Sequence, residues 1–163
     1  MDDAKRFEVR QVVAAPIEQV FAVIADPGKH VGIDGSGMLQ RTDSGPVGAA
    51  GQVFAMDMYR DSLGHYRTVN LVTEFEPGVR VSWAPSLDVS YPCPLVDKLA
   101  NITTGGHTYT YQLREVTGGT EITQIYDWSG VKDPQFESFC PFVSREELAD
   151  TLTKLAREVE GAP

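Results

Sequence analysis

Between residues 52 and 129 the chain alternates between apolar and polar side chains and is cut by tight turns, a pattern few folds accept. Phe54, Met56 and Met58 alternate with Val53, Ala55, Asp57 and Tyr59. A period of two belongs to an extended strand with one buried face. Asp61-Ser62-Leu63-Gly64 has the composition of a hairpin turn. Residues 65–75 return as a strand, Glu76-Pro77-Gly78 turns again, and Val79, Val81 and Trp83 alternate in the next strand. Residues 84–106 hold three prolines and little periodicity, and read as a long irregular connection with a helical turn at 96–99. Residues 107–116 then set Tyr109, Tyr111 and Leu113 on one face. Thr117-Gly118-Gly119-Thr120 is a hairpin signal, and residues 121–129 set Ile122, Tyr126 and Trp128 on one face. Strands joined by such turns pair antiparallel.

The flanking segments supply what covers this sheet. Residues 6–13 read as a first strand. Pro16 suits the first turn of a helix, where its missing N–H costs nothing, and Val20, Phe21 and Ile24 follow at helical spacing. Asp26-Pro27-Gly28 stops that helix, a second helical turn fits 28–33, and 38–42 fits a short strand before the loop 45–51. Near the C-terminus, 134–142 fits a short helix. Ser144 with Glu147 three residues on is a capping box. Leu148, Leu152, Leu155 and Val159 form an apolar stripe that Gly161 ends. A twisted antiparallel sheet must bury one face, and this helix carries the only long stripe able to cover it. The expected class is therefore α+β: a curved antiparallel sheet of about seven strands wrapped around a long C-terminal helix, with two short helices after the first strand.

At 163 residues the chain suits one domain, spanning 1–163, and 42% hydrophobic content suits a packed core. A net charge of −9 without a Lys/Arg cluster argues against nucleic acid as a partner. The first residues lack the apolar core of a signal peptide, and no run approaches the ~20 apolar residues of a membrane span. The expectation is a cytoplasmic protein without membrane insertion, a monomer or a homodimer. Cys93 and Cys140 each adjoin proline outside any Cys-x-x-Cys pair, so neither a zinc site nor a disulfide is expected. No cofactor motif is present.

Several short stretches together resemble the START/Bet v 1-like superfamily, the helix-grip fold, and within it the polyketide cyclase/dehydrase and lipid-transport group. Residues 12–21, Val-Val-Ala-Ala-Pro-Ile-Glu-Gln-Val-Phe, look like its strand-to-helix entry. Ala25-Asp26-Pro27-Gly28-Lys29-His30 looks like its helix break, Thr73-Glu74-Phe75-Glu76-Pro77-Gly78 like its mid-sheet turn, and Tyr126-Asp127-Trp128-Ser129-Gly130 like its closing strand. The resemblance implies a cavity between sheet and C-terminal helix that binds a small hydrophobic or aromatic molecule, lipid- or polyketide-like. It implies as the alternative a cyclase or dehydratase that uses Tyr and His as acid and base there. Fold alone does not choose between them.

The inward faces nominate the lining. From the sheet come Phe54, Met56, Met58, Trp83, Tyr109, Tyr111, Tyr126 and Trp128; from the helix come Leu148, Leu152 and Leu155. Any one of these taken singly suits a filled core better, whereas for the set the resemblance favours a cavity. Buried tyrosine hydroxyls need partners, so Tyr109, Tyr111 and Tyr126 either reach a ligand or bond to one another or to water. His30, after the Pro-Gly turn, is placed at the cavity mouth and is a catalytic candidate with Tyr109 and Tyr126. His65, by a hairpin, and His107, at a strand start, are expected to face solvent. Alternation turns Asp57 and Asp127 outward, and Asp34 sits in a Gly-rich loop near the opening. The histidines show no metal-ligand spacing, and no metal is expected.

Overall fold

The computed structural model describes residues 5–161. β1 (Arg6–Val13) leads into α1 (Ile17–Ile24) and α2 (Pro27–His30). Pro16 stands at the N-cap of α1 with extended backbone, and the Asp26 side chain caps α2 by accepting from the Gly28 N–H. A seven-stranded antiparallel sheet follows, completed by β2 (Leu39–Arg41), β3 (Val53–Arg60), β4 (Gly64–Glu76), β5 (Arg80–Leu87), β6 (Thr108–Val116) and β7 (Gly119–Asp127). Its order is β1-β7-β6-β5-β4-β3-β2, so β2 to β7 form a meander and β1 closes on β7. Gly119 fits that closure because a Cβ there would lie 1.9 Å from the Val13 carbonyl oxygen.

Register fixes which side chains face inward. Tyr109 pairs with Trp83 and with Tyr126, Tyr111 with Val81 and Gln124, and Leu113 with Ile122. A bulge in β4 between Val72 and Glu74 resets the parity, so Phe75 faces inward beyond it.

The long connection differs from the expectation. Strand β5 runs on through Ala84-Pro85-Ser86 to Leu87, where a loop was expected. Proline is tolerated because β6 pairs with β5 only as far as Trp83, leaving the rest of β5 an edge. Two short helices cover this side of the sheet: α3 (Pro94–Lys98), starting two residues before the expected turn, and α4 (Pro134–Glu137).

α5 (Arg145–Glu160) closes the concave face. Its capping box forms in full: the Glu147 N–H donates to Ser144 Oγ at 3.1 Å, and the Ser144 N–H donates to Glu147 Oε1 at 2.9 Å. Leu148, Leu152 and Leu155 are buried along its stripe. The loop after α2 is pinned to this helix. Gly35 N–H donates to Thr151 Oγ1, and a Cβ on Gly35 would lie 2.2 Å from the Glu147 carbonyl oxygen, so only glycine fits. Among the described residues both cysteines are free, and no helix is long and apolar enough to cross a membrane.

Candidate ligand cavity

The concave side has two unlike halves. Around the C-terminal half of α5, Leu152 and Leu155 pack with Val13, Val20, Ile24, Val72, Val81 and Ile122, each at most 1% exposed. Around its N-terminal half the packing opens into a cavity of about 160 Å³. Glu147, Leu148 and Thr151 border it from the helix, and Met56, Met58, Trp83, Tyr109 and Tyr111 from the sheet. The inward positions Thr68, Asn70 and Gln124 put small or polar groups where the solid half has branched apolar ones. Leu95 and Leu99 from the α3 region, and Phe136 and Phe142 from the α4 region, roof the space.

Five of the expected lining residues stand elsewhere. Phe54 turns its ring edge to Trp83, with centroids 5.7 Å apart, and belongs to the solid half. Leu152 and Leu155 fill that half too. Tyr126 lies behind Tyr109, the two rings parallel within 6° at 4.5 Å, and is 0% exposed. Trp128 is tucked against Phe7 at 5.0 Å and Tyr126 at 5.2 Å. Period-two reasoning assigns a face correctly but carries no information on depth, and depth separates these five from the wall.

Trp83 is the centre of the aromatic wall. His30 stacks on it at 5.6 Å and Tyr109 at 6.2 Å, while Tyr111 is tilted at 5.8 Å. The Tyr109 and Tyr126 rings are stacked at 4.5 Å, and the Tyr126 oxygen accepts from the Phe142 N–H at 3.2 Å. Burial raises the pKa of Tyr66, Tyr109, Tyr111 and Tyr126, so all four remain neutral phenols.

The histidines divide differently from the expectation. His30 lines the cavity but is 6% exposed, and its Nε2–H donates to the Ile24 carbonyl at 3.0 Å. Burial lowers its pKa. His65 is exposed, as expected. His107, expected in solvent, is 6% exposed and lines the cavity. It shares the inward parity of Tyr109 and Tyr111, stacks on Phe136 at 5.6 Å, and meets the edge of Tyr126 at 5.8 Å. Burial alone pushes its pKa down to about 4, so the imidazole is neutral at pH 7.

Two buried polar atoms stand out. His107 Nδ1 and Gln124 Oε1 have no hydrogen-bond partner among the described residues. Three other buried atoms without a hydrogen bond sit in ion pairs: Arg67 Nε with Asp57 Oδ1 at 3.4 Å, and Arg80 Nε with Glu74 at 3.1 Å. Buried polar side chains are nearly always satisfied, so an unsatisfied atom on each of two residues that border the cavity calls for a partner. The sequence held a signal for Gln124, which shares the parity of Ile122 and Tyr126: a lone amide on an otherwise apolar inward face. Asn70 carried the same signal, and its Nδ2 donates to the Phe54 carbonyl at 3.1 Å.

Among the described residues no lysine or arginine lines the cavity, and the two carboxylates that do are engaged. Asp34 accepts from the Ser36 N–H at 3.0 Å, the Ser36 hydroxyl at 2.7 Å and the Leu39 N–H at 2.8 Å, which makes it the organiser of its loop. Glu147 accepts from Ser144 and, at 3.0 Å, from Arg60 on β3. Asp57 faces outward between Arg41 and Arg67, and Asp127 accepts from Ser129. Among the described residues no three His, Cys, Asp or Glu side chains group as metal ligands do.

The architecture is that of an α+β protein with a curved sheet and a C-terminal helix, and solved structures share it. Ms6760 from Mycobacterium smegmatis superposes with a TM-score of 0.70 at 14% identity, over 98% of this chain and 93% of that one. DynU16, from the dynemicin biosynthetic locus, superposes with a TM-score of 0.61 at 18% identity, over 98% of this chain and 49% of that one. In sequence, the chain is 36% identical over 118 residues to the uncharacterized protein Rv0088 of Mycobacterium tuberculosis, a match covering 71% of this chain. The chain spans 44% of that relative's length. No protein-family model matches the chain.

Proposed function

We propose that residues 1–163 form one START/Bet v 1-like domain whose work is to bind a small, mostly apolar molecule in the cavity between β3–β7 and the N-terminal half of α5. The hollow itself carries the reading. A space of about 160 Å³ left beside a close-packed half is costly. A ligand that enters recovers that packing at roughly 25 cal/mol per Å² of apolar surface buried. Aromatic walls with a few convergent polar groups are the usual make-up of a small-molecule site.

The test is native mass spectrometry of the chain purified from the organism that makes it. The expected result is a noncovalent adduct of small mass, released by mild denaturation. A bare chain under those conditions, with no gain in stability from any small apolar probe, would overturn the reading.

An enzymatic reading, of cyclase or dehydratase type, has one specific support: His107, neutral and unpaired at Nδ1, against the rings of Tyr109 and Tyr126. The magnitudes favour binding. An imidazole with a pKa near 4 is a base roughly two orders of magnitude weaker than an ordinary histidine. Turnover of a cyclisable substrate that vanishes in His107→Gln while binding persists would reverse that preference.

A further inference from the structure

We propose that the cavity selects an uncharged molecule of about one ring that donates a hydrogen bond, an alcohol or a phenol, and that Gln124 is the residue that receives it. This rests on the binding reading above and names the class of molecule it takes.

Three observations converge. The first is the acceptor. Gln124 is 4% exposed, lies between Ile122 and Tyr126 on the inward face of β7, and its Oε1 has no partner among the described residues. A buried amide oxygen left unpaired is costly, and a donor supplied by a guest removes that cost. The second is size. The cavity holds about 160 Å³, close to the roughly 150 Å³ of an engineered apolar cavity that takes up benzene. A substituted ring of that volume fits against Trp83 and Tyr109. The third is charge. Among the described residues the walls carry no lysine or arginine, so a carboxylate or phosphate drawn inside would lie buried without a counter-charge. An ammonium group gains no free partner either. Asp34 is used by Ser36 and Leu39, and Glu147 by Ser144 and Arg60.

Calorimetric titration of the intact chain at pH 7 with p-cresol, p-xylene and p-toluate tests this. The three probes share a methyl-substituted ring and differ in a hydroxyl, a methyl or a carboxylate. In the unaltered protein p-toluate is expected to bind at least about tenfold more weakly than p-cresol. In Gln124→Leu, and independently in Gln124→Met, the ratio of p-cresol to p-xylene affinity is expected to fall about tenfold or more, the size of one buried hydrogen bond. Binding of p-xylene stays within about threefold. Using the ratio cancels the different water affinities of the two probes. A ratio unchanged in the variants, or p-toluate binding as well as p-cresol, overturns the proposal and leaves the cavity a plain apolar site. Failure of all three probes overturns the binding reading with it.

Discussion

Ile122 and Gln124 are two residues apart on the same face of the same strand, yet they live in different environments. Ile122 is 0% exposed and packs in the solid half with Val13, Leu152 and Leu155. Gln124 is 4% exposed, borders the cavity, and has its carbonyl oxygen unpaired among the described residues. One side chain stabilises the fold by filling space. The other costs stability and gains only when something enters. The same division runs along α5, where Leu152 and Leu155 seal and Leu148 borders the hollow. It also separates Tyr126, locked behind the wall, from Tyr109, which forms the wall. A protein built only for stability would fill both halves alike.

Substitutions should separate the halves, with the largest effect in the solid one. Leu152→Ala or Ile122→Ala is expected to cost about 3–5 kcal/mol in urea unfolding, because neither site can collapse around the loss. Gln124→Leu is expected to change stability by at most about 1 kcal/mol, and in the favourable direction, since it removes an unpaired buried acceptor. A large loss in Gln124→Leu would mean the two halves are equally well packed.

Acid should strike the open half next. His107 is neutral when folded, with a pKa of about 4, and takes up a proton near pH 6.5 when unfolded. The unfolded chain therefore binds more protons between those values. Stability is full above about pH 6.5 and falls as pH drops toward 4, by roughly 3 kcal/mol. His30, whose pKa burial also lowers, pulls the same way. The rings facing His107, from Tyr109, Tyr126, Phe136 and Phe142, bring no charge to offset its burial. In His107→Phe the slope of stability against pH over this window should flatten, while Leu152→Ala should leave the slope unchanged. A ligand at about a hundred times its Kd should add about 2.7 kcal/mol to the unaltered chain.

The smallest effect is expected at the mouth. The Arg60–Glu147 pair joins β3 to the first turn of α5 at 3.0 Å, with both side chains about a third exposed. Arg60→Gln should cost less than about 1 kcal/mol. Because Glu147 borders the cavity, the same change should speed ligand release in stopped-flow dilution more than it alters stability.

Much of the scaffold was legible before any coordinates. The Ser144–Glu147 box placed the start of α5 to the residue, and the period-two runs and turn signals placed the meander. Those features are local, and local chemistry sets them. The line between a filled and an open half was not legible, because it depends on how far the roof from α3 and α4 stands above the sheet. Hence Phe54, Tyr126, Trp128, Leu152 and Leu155 shared the right face but stood away from the hollow. His107 differs from the expectation for a related reason: a strand start looks exposed until a distant segment, here carrying Phe136 and Phe142, folds over it. Gln124 and Asn70 are polar exceptions on the inward face, and apolar periodicity carries no information on them.

The most direct test of a ligand site confined to one half is methyl NMR. With methionine and leucine methyl groups labelled, p-cresol is titrated into the chain. Met38, Met56 and Met58 line the cavity, while Leu152 and Leu155 lie outside it in the solid half. The account predicts saturable shifts of the three methionine signals, with Leu152 and Leu155 essentially still. Methionine signals that do not move, or shifts spread evenly over both halves, would contradict it.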